Sequence, residues 1–240
     1  MINVLKHKKA ILLLFIFTLS VCLLYARGGG GIGSGGGGGR GGGGYFFGAV
    51  WLIFTVWLAV VLYLRKKAAR KVIAKAKEDI WNMHYLEQTT EKVFLAFQQA
   101  WMDRDLSSVS KMVTYNLYLT HHPELQHMKA KGEKNILEKI SVDSIRIIGC
   151  KDYLDNAKDS FSAYIKGTMV DYTINEINSK VIDGSDSESK KFSDLYVFTR
   201  DGNTWLLNQV INDPQVFEIL EVKNISEENQ KAADVGLATA

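Results

Sequence analysis

The chain has 240 residues, 47% of them hydrophobic and 23% charged, with a formal net charge of +3 and two cysteines. That length accommodates one ordinary domain with appendages, and two cysteines exclude a disulfide framework. The charge is split by region. Twelve Lys and Arg residues lie between Lys6 and Lys77 with no acidic residue before Glu78, whereas 26 acidic residues face 17 basic ones from Glu78 onward. This argues against a nucleic-acid-binding domain, whose basic footprint would fall on the folded part.

In chain order, Lys6, Lys8 and Lys9 precede an apolar run from Ile11 that ends near Tyr25-Ala26-Arg27. Residues 1–26 are thus laid out as a signal peptide, or as a signal-anchor helix that stays in place because Leu24 is bulky for a cleavage site. Leu19-Ser20-Val21-Cys22 has only the outline of a lipoprotein processing site, since Val21 is too large. Residues 27–44 hold 14 of the 21 glycines; so few side chains cannot bury enough apolar surface to offset conformational entropy, and the stretch reads as a linker. It lacks the preceding strand and the Lys-Ser/Thr of a phosphate-cradling loop.

Residues 45–64, YFFGAVWLIFTVWLAVVLYL, carry no charge, and about 20 such residues suffice to cross roughly 30 Å of hydrocarbon as a helix. Tyr45, Phe46, Phe47 and Tyr63 suit the two interfaces. Directly after come Arg65, Lys66, Lys67, Arg70, Lys71, Lys75 and Lys77, on a basic juxtamembrane helix expected over residues 65–87. The positive-inside rule places this flank, and the soluble domain behind it, in the cytoplasm, whether the first segment is cleaved or retained as half of a hairpin. These seven residues are the candidate binding set for anionic lipid headgroups, each contributing about 1 kcal/mol near a membrane surface; setting topology is their other role.

Within residues 88–215, Thr90-Glu91-Lys92 opens a helix whose Val93, Phe94, Phe97, Ala100 and Trp101 share one face. Asp105 caps a second helix with Leu106, Val109, Met112 and Val113. A third helical piece over Leu117 to Met128 is expected to break at Pro123, with a turn at Gly132. The period then becomes alternating. Ile145 and Ile147 mark one strand; Phe161, Ala163, Ile165 and Met169 share a face of the next, opposite Tyr164. The polar stretch Asp183 to Ser189 reads as a hairpin loop, and Asp201-Gly202-Asn203 as a turn between Phe192–Arg200 and Trp205–Ile211. Helices first and antiparallel strands after imply an α+β domain with helices on one face of a curved antiparallel sheet. Residues 216–240 read as a polar tail, without order from Glu221 onward.

Phe94 to Leu106 (FLAFQQAWMDRDL), the strand Leu195-Tyr196-Val197-Phe198-Thr199-Arg200 and the closing Trp205-Leu206-Leu207 resemble the Tim44-like domain family over about residues 88–212. The leader, with its signal-like segment, glycine tract and transmembrane helix, is similar to that of bacterial members. The resemblance implies a cone-shaped domain of the nuclear transport factor two-like superfamily with a concave pocket, association with anionic phospholipids, and tethering of a protein partner. It further implies residence in a bacterial inner (cytoplasmic) membrane, where the basic flank turns the domain toward the cytoplasm; in a mitochondrial membrane the same rule gives the matrix. The chain departs from the mitochondrial protein in having its own span and no long chaperone-binding region, so a general membrane-anchored scaffold for lipid or protein carries over better than protein import.

The same cone fold hosts isomerases and dehydratases, which makes an enzyme acting on a small apolar molecule the alternative. Its candidate acids, Asp103, Asp105 and Asp171, are better read as helix-end and strand-bend residues. His121, His122, His127 and Glu124 match no common zinc spacing and read as a solvated loop, so no catalytic residue, metal or cofactor is expected. Phe94, Phe97, Trp101, Phe161, Phe198 and Trp205 are the candidate pocket-lining residues, most of them expected in the core. A third reading, an inner-membrane subunit of a type IV secretion system, puts the domain on the opposite side from the basic flank.

Overall fold

The computed structural model describes residues 42–76 and 78–230, with side chains from Trp51 onward. The signal-like segment 1–26, most of the glycine tract, Lys77 and the end of the tail lie outside the described residues. Two compact units divide at Leu58 and Ala59.

Helix α1 (Gly42–Ile73) is continuous through the uncharged run. In the first unit its Trp51, Leu52, Ile53, Phe54 and Val56 are exposed. Among the described residues no helix is long and apolar enough to cross a membrane; described side chains begin part-way along the run, leaving only Trp51 to Leu64 before Arg65. In the second unit the same helix turns Val61, Leu62, Ala69 and Val72 inward, at 6% exposure or less. It ends at Ile73 rather than running on to residue 87. The chain turns through buried Ile80 and Trp81, and Asn82 starts α2 (Met83–Met102) by accepting the Tyr85 N–H at 3.1 Å. Helix α2 thus begins ahead of Thr90, which is itself buried and donates to the Leu86 carbonyl at 2.7 Å.

Beyond α2, Asp105 caps a single 3-10 turn, Leu106–Val109, in place of a second full helix. Helix α3 (Tyr115–Lys131) runs unbroken through Pro123. Pro removes one internal hydrogen bond, but Thr114 caps the N-terminus, buried Leu117 and Leu125 anchor the helix, and Gly132 closes it at φ 66, in the left-handed region that Gly tolerates best.

The sheet has the order β4-β3-β2-β1-β5, built from β1 (Glu133–Lys151), β2 (Ser160–Asn175), β3 (Lys180–Asp201), β4 (Thr204–Asn212) and β5 (Asn224–Ile225). The first four are mutually antiparallel, and β5 joins β1 in parallel, so the sheet is mixed rather than purely antiparallel. Register shifts at Glu138/Ser141, Val142/Ser144 and Ile147/Gly149 mark bulges that increase twist and bend the strand. The polar stretch Asp183 to Ser189 is no loop; it lies inside β3, and the chain reverses at Glu176–Ser179. There Asn175 accepts the Ile177 N–H, Asn178 accepts the Lys180 N–H, and Ser179 takes φ 55. Such Asx geometry makes a turn without glycine. The expected Gly202 turn is present at φ 57.

Residues 216 to 225 are ordered. They form α4 (Val216–Glu221) and β5, where the Asn224 side chain accepts the Cys150 N–H at 3.0 Å and donates to the Ile148 carbonyl at 3.1 Å. One face of the sheet packs against the helices. Its core contains Ile147, Cys150, Phe161, Ala163, Ile165, Tyr196, Phe198 and Leu207 opposite Val93, Phe94, Phe97 and Ala100 of α2. Phe161 stacks on Phe198 at 4.4 Å and meets Trp205 edge-on at 5.0 Å, and Trp205 meets Trp81 at 4.9 Å; each such pair is worth about 0.5–1.5 kcal/mol beyond area burial.

Candidate functional site: an acidic and aromatic pocket

A cavity of about 290 Å³ opens between the helices and the sheet at the end of the core. Helix α2 supplies Phe97, Gln98 and Trp101, and α3 supplies His121. The strands supply Asn135 and Leu137 (β1), Met169 and Asp171 (β2), Phe192, Asp194 and Tyr196 (β3), and Val210 and Asn212 (β4), followed by Asp213. Alternation along a strand puts every second residue on one face, which is why Phe192, Asp194 and Tyr196 arrive together.

The aromatic walls interlock. Phe97 meets Tyr196 edge-on at 6.5 Å and Trp101 at 6.2 Å, and the His121 ring stands edge-on to Trp101 at 5.5 Å. Gln98 donates to the Tyr196 hydroxyl at 3.3 Å. Tyr196 is fully enclosed, and burial next to Asp194 pushes its hydroxyl well above its ordinary range. His121 Nδ1 has no hydrogen-bond partner and lies 3.5 Å from Glu124.

Among the described residues, three carboxylates line the cavity and no Lys or Arg does. Asp171 accepts from Asn135 at 2.8 Å. Asp194 is 5% exposed, and burial, with Asp213 close by, raises its carboxyl to about 7 despite the Asp213 backbone N–H. Asp213 itself has φ 44 and precedes a proline, a backbone state that a non-glycine residue holds at a cost of about 1–3 kcal/mol.

The residues expected from the sequence distribute as follows. Phe97 and Trp101 line the cavity, whereas Phe94, Phe161, Phe198 and Trp205 are at most 2% exposed and belong to the core instead. Asp103 ends α2 and accepts from Gln99, and Asp105 accepts the Ser107 N–H at 2.9 Å. His122 stacks on Tyr118, and among the described residues no three metal-ligating side chains gather. Along the basic flank, Arg65 donates to the carbonyls of Leu220 and Val222 at the end of α4, where a cation complements the helix terminus. Lys66 lies 3.7 Å from Glu87, and Lys75 pairs with Glu228. Lys67, Arg70 and Lys71 are exposed. Asp194, Asp213 and His121 were the residues missed as pocket groups; only the lone acidic residue inside the apolar strand pattern Phe192-Ser193-Asp194-Leu195-Tyr196 signalled one of them.

One family description, the Tim44-like domain, matches residues 67–212, more than half of the chain. The chain belongs to the Tim44-like domain family. The match begins inside the basic flank, so this Tim44-like unit includes the end of α1. A solved structure with similar features is the intermembrane-space region of the chloroplast protein ARC6, with a TM-score of 0.38 and 8% identity; the likeness covers 52% of this chain and 95% of that one. No curated protein matches.

Proposed function

We propose that this Tim44-like protein is a membrane-anchored binding module, held in a bacterial inner membrane by the span 45–64 with its folded domain in the cytoplasm. The observation that carries this reading is the family match, which starts at residue 67, inside the basic flank that directly follows the uncharged run. That flank lies on α1, whose Ala69 packs in the domain core. Lys67, Arg70 and Lys71, exposed on that helix, are then positioned for anionic headgroups, and a protein partner would be presented at the same surface. Family membership supports a membrane-associated scaffold over an enzyme.

Topology tests this directly. Reporters active on one side of the membrane are fused after Gly44 and after Lys77. Gly44 outside with Lys77 inside is the expected result. The reverse arrangement removes the cytoplasmic placement and favours the secretion-subunit reading.

One observation favours a second reading, a cone-fold enzyme. An enclosed carboxylate near pH 7 at a pocket wall, with a histidine on the same cavity, is the condition for general acid–base work. Turnover of small carbonyl or hydroxyl compounds that disappears in Asp194→Asn would establish it.

A further inference from the structure

We propose that the cavity between α2, α3 and the sheet is a recognition site for an organic ammonium group, seated against Asp194 and Asp213 and enclosed by Phe97, Trp101 and Tyr196. The inference stands apart from the membrane reading, since every residue it uses lies in the second unit and none on the span or its basic flank.

The first support is an unbalanced charge. A carboxylate buried to the degree of Asp194 is normally paired with a cation or neutralised. Among the described residues no Lys or Arg pairs with Asp194 or Asp213, and the neighbouring charge that acts on Asp194 is a second carboxylate. The backbone N–H of Asp213, which donates to the Ser193 carbonyl at 2.9 Å, lowers the proton affinity of Asp194 in part. A cationic ligand would supply the counter-charge to this buried carboxylate.

The second support is the wall opposite. Trp101 is the half-buried aromatic ring of this wall, backed by buried Phe97 and Tyr196 in tilted and edge-on contact, and aromatic faces attract organic cations. A metal ion fits this lining poorly, because oxygen ligands would have to converge and the described residues form no such group.

Size limits the ligand. About 290 Å³ is at the lower edge of the roughly 300–1,000 Å³ of small-molecule pockets. That suits a small amine or one lysine side chain of a protein and is tight for a steroid-sized substrate.

The test uses the full chain in maltoside micelles and saturation-transfer NMR with three probes. Choline and Nα-acetyl-lysine-N-methylamide carry the cation; 3,3-dimethylbutan-1-ol is the neutral carbon counterpart of choline. At least one ammonium probe should saturate, at about 10-fold or greater affinity over the alcohol. Choline alone points to a free amine, and the lysine amide alone to a protein side chain.

Asp194→Asn, with the fold checked by near-ultraviolet circular dichroism, should weaken the cation by about 10- to 100-fold without affecting the alcohol. Asp213→Asn is the second variant, chosen because Asn adopts positive φ readily; it should weaken the cation in the same sense. Affinity for choline, which does not titrate, should fall from pH 8 to pH 6 as Asp194 takes up a proton; His121, Asp171, Asp213 and Tyr196 are the other titratable groups facing the cavity. Equal binding of choline and the alcohol, no saturation by either ammonium probe, or parental affinity in both folded Asn variants would overturn the proposal.

Discussion

Asp194 and Asp152 carry the pH dependence at the scale of single residues. Burial raises them to about 7 and about 6, with like-charged neighbours adding to the effect. Both values lie above the ordinary unfolded carboxylate near 3.9, so between about pH 4 and pH 7 the folded state binds more protons than the unfolded chain. Stability from these groups is therefore greatest below the unfolded value and declines as pH rises through the folded values. The melting temperature should rise when pH is lowered from 8 to 5.5, and Asp194→Asn should flatten the trend while gaining on the order of 2 kcal/mol at pH 8. A melting series in which parent and variant run parallel would refute it.

At Asp159 burial likewise raises the carboxyl, but here a cation and a backbone N–H oppose it. It is fully buried, but Arg200 meets it at 3.1 Å, and the Tyr153 N–H donates to it at 2.7 Å. Arg200 also pairs with Glu78 and donates from Nε to the Gly202 carbonyl at 2.8 Å. Removing one partner of such a pair strands a charge, so Arg200→Met should cost about 3–5 kcal/mol in urea unfolding. Adding Asp159→Asn should recover part of that loss, since residues in one network are not additive.

At the scale of elements, α3 shows how tertiary support outweighs local propensity. A proline inside a helix costs about 3 kcal/mol, yet the helix, with Thr114 and Gly132 at its ends and two buried leucines, continues through it. Pro123→Ala should accordingly stabilise the domain by about 1–3 kcal/mol, and a loss of stability in that variant would mean the proline is used for packing. The β5 strand is held through Asn224, which satisfies both polar groups flanking Gly149 on β1. Behind it Cys150 is fully buried and its thiol is pushed far up by desolvation, so it resists alkylation. In a Cys22→Ser background, Asn224→Ala should accelerate labelling of Cys150 several-fold by loosening that edge; an unchanged rate would show that other contacts hold β5. Asp183 to Ser189 has a loop's composition, but its strand is exposed over most of that stretch and therefore needs no apolar alternation. The Asn175-to-Ser179 turn was legible in its Asn and Ser residues but was masked by the stronger-looking polar run.

At the scale of the whole molecule, the split between a basic leader and an acidic domain makes a salt-sensitive interaction with anionic lipid the expected behaviour. A fragment beginning at Ala59 should float with phosphatidylglycerol liposomes. Reversing Lys67, Arg70 and Lys71 to Glu should weaken that by about 100-fold or more at low salt. Unchanged flotation would assign those charges to topology alone. Arg65 is left intact in this design because its hydrogen bonds to α4 are structural.

The uncharged run, the charge split, the helix-before-strand order and the family were readable from sequence because each rests on composition or period within one stretch of chain. So were the two turns at Gly132 and Gly202, where a positive φ selects glycine. Only the tertiary structure decided which aromatics face a cavity, that Asp194 and Asp213 meet there with no Lys or Arg beside them among the described residues, that Arg65 ties α1 to α4, and that the tail adds a fifth strand. Those outcomes depend on residues far apart in the chain arriving at one place, and neither burial nor the absence of a counter-charge has a local signature.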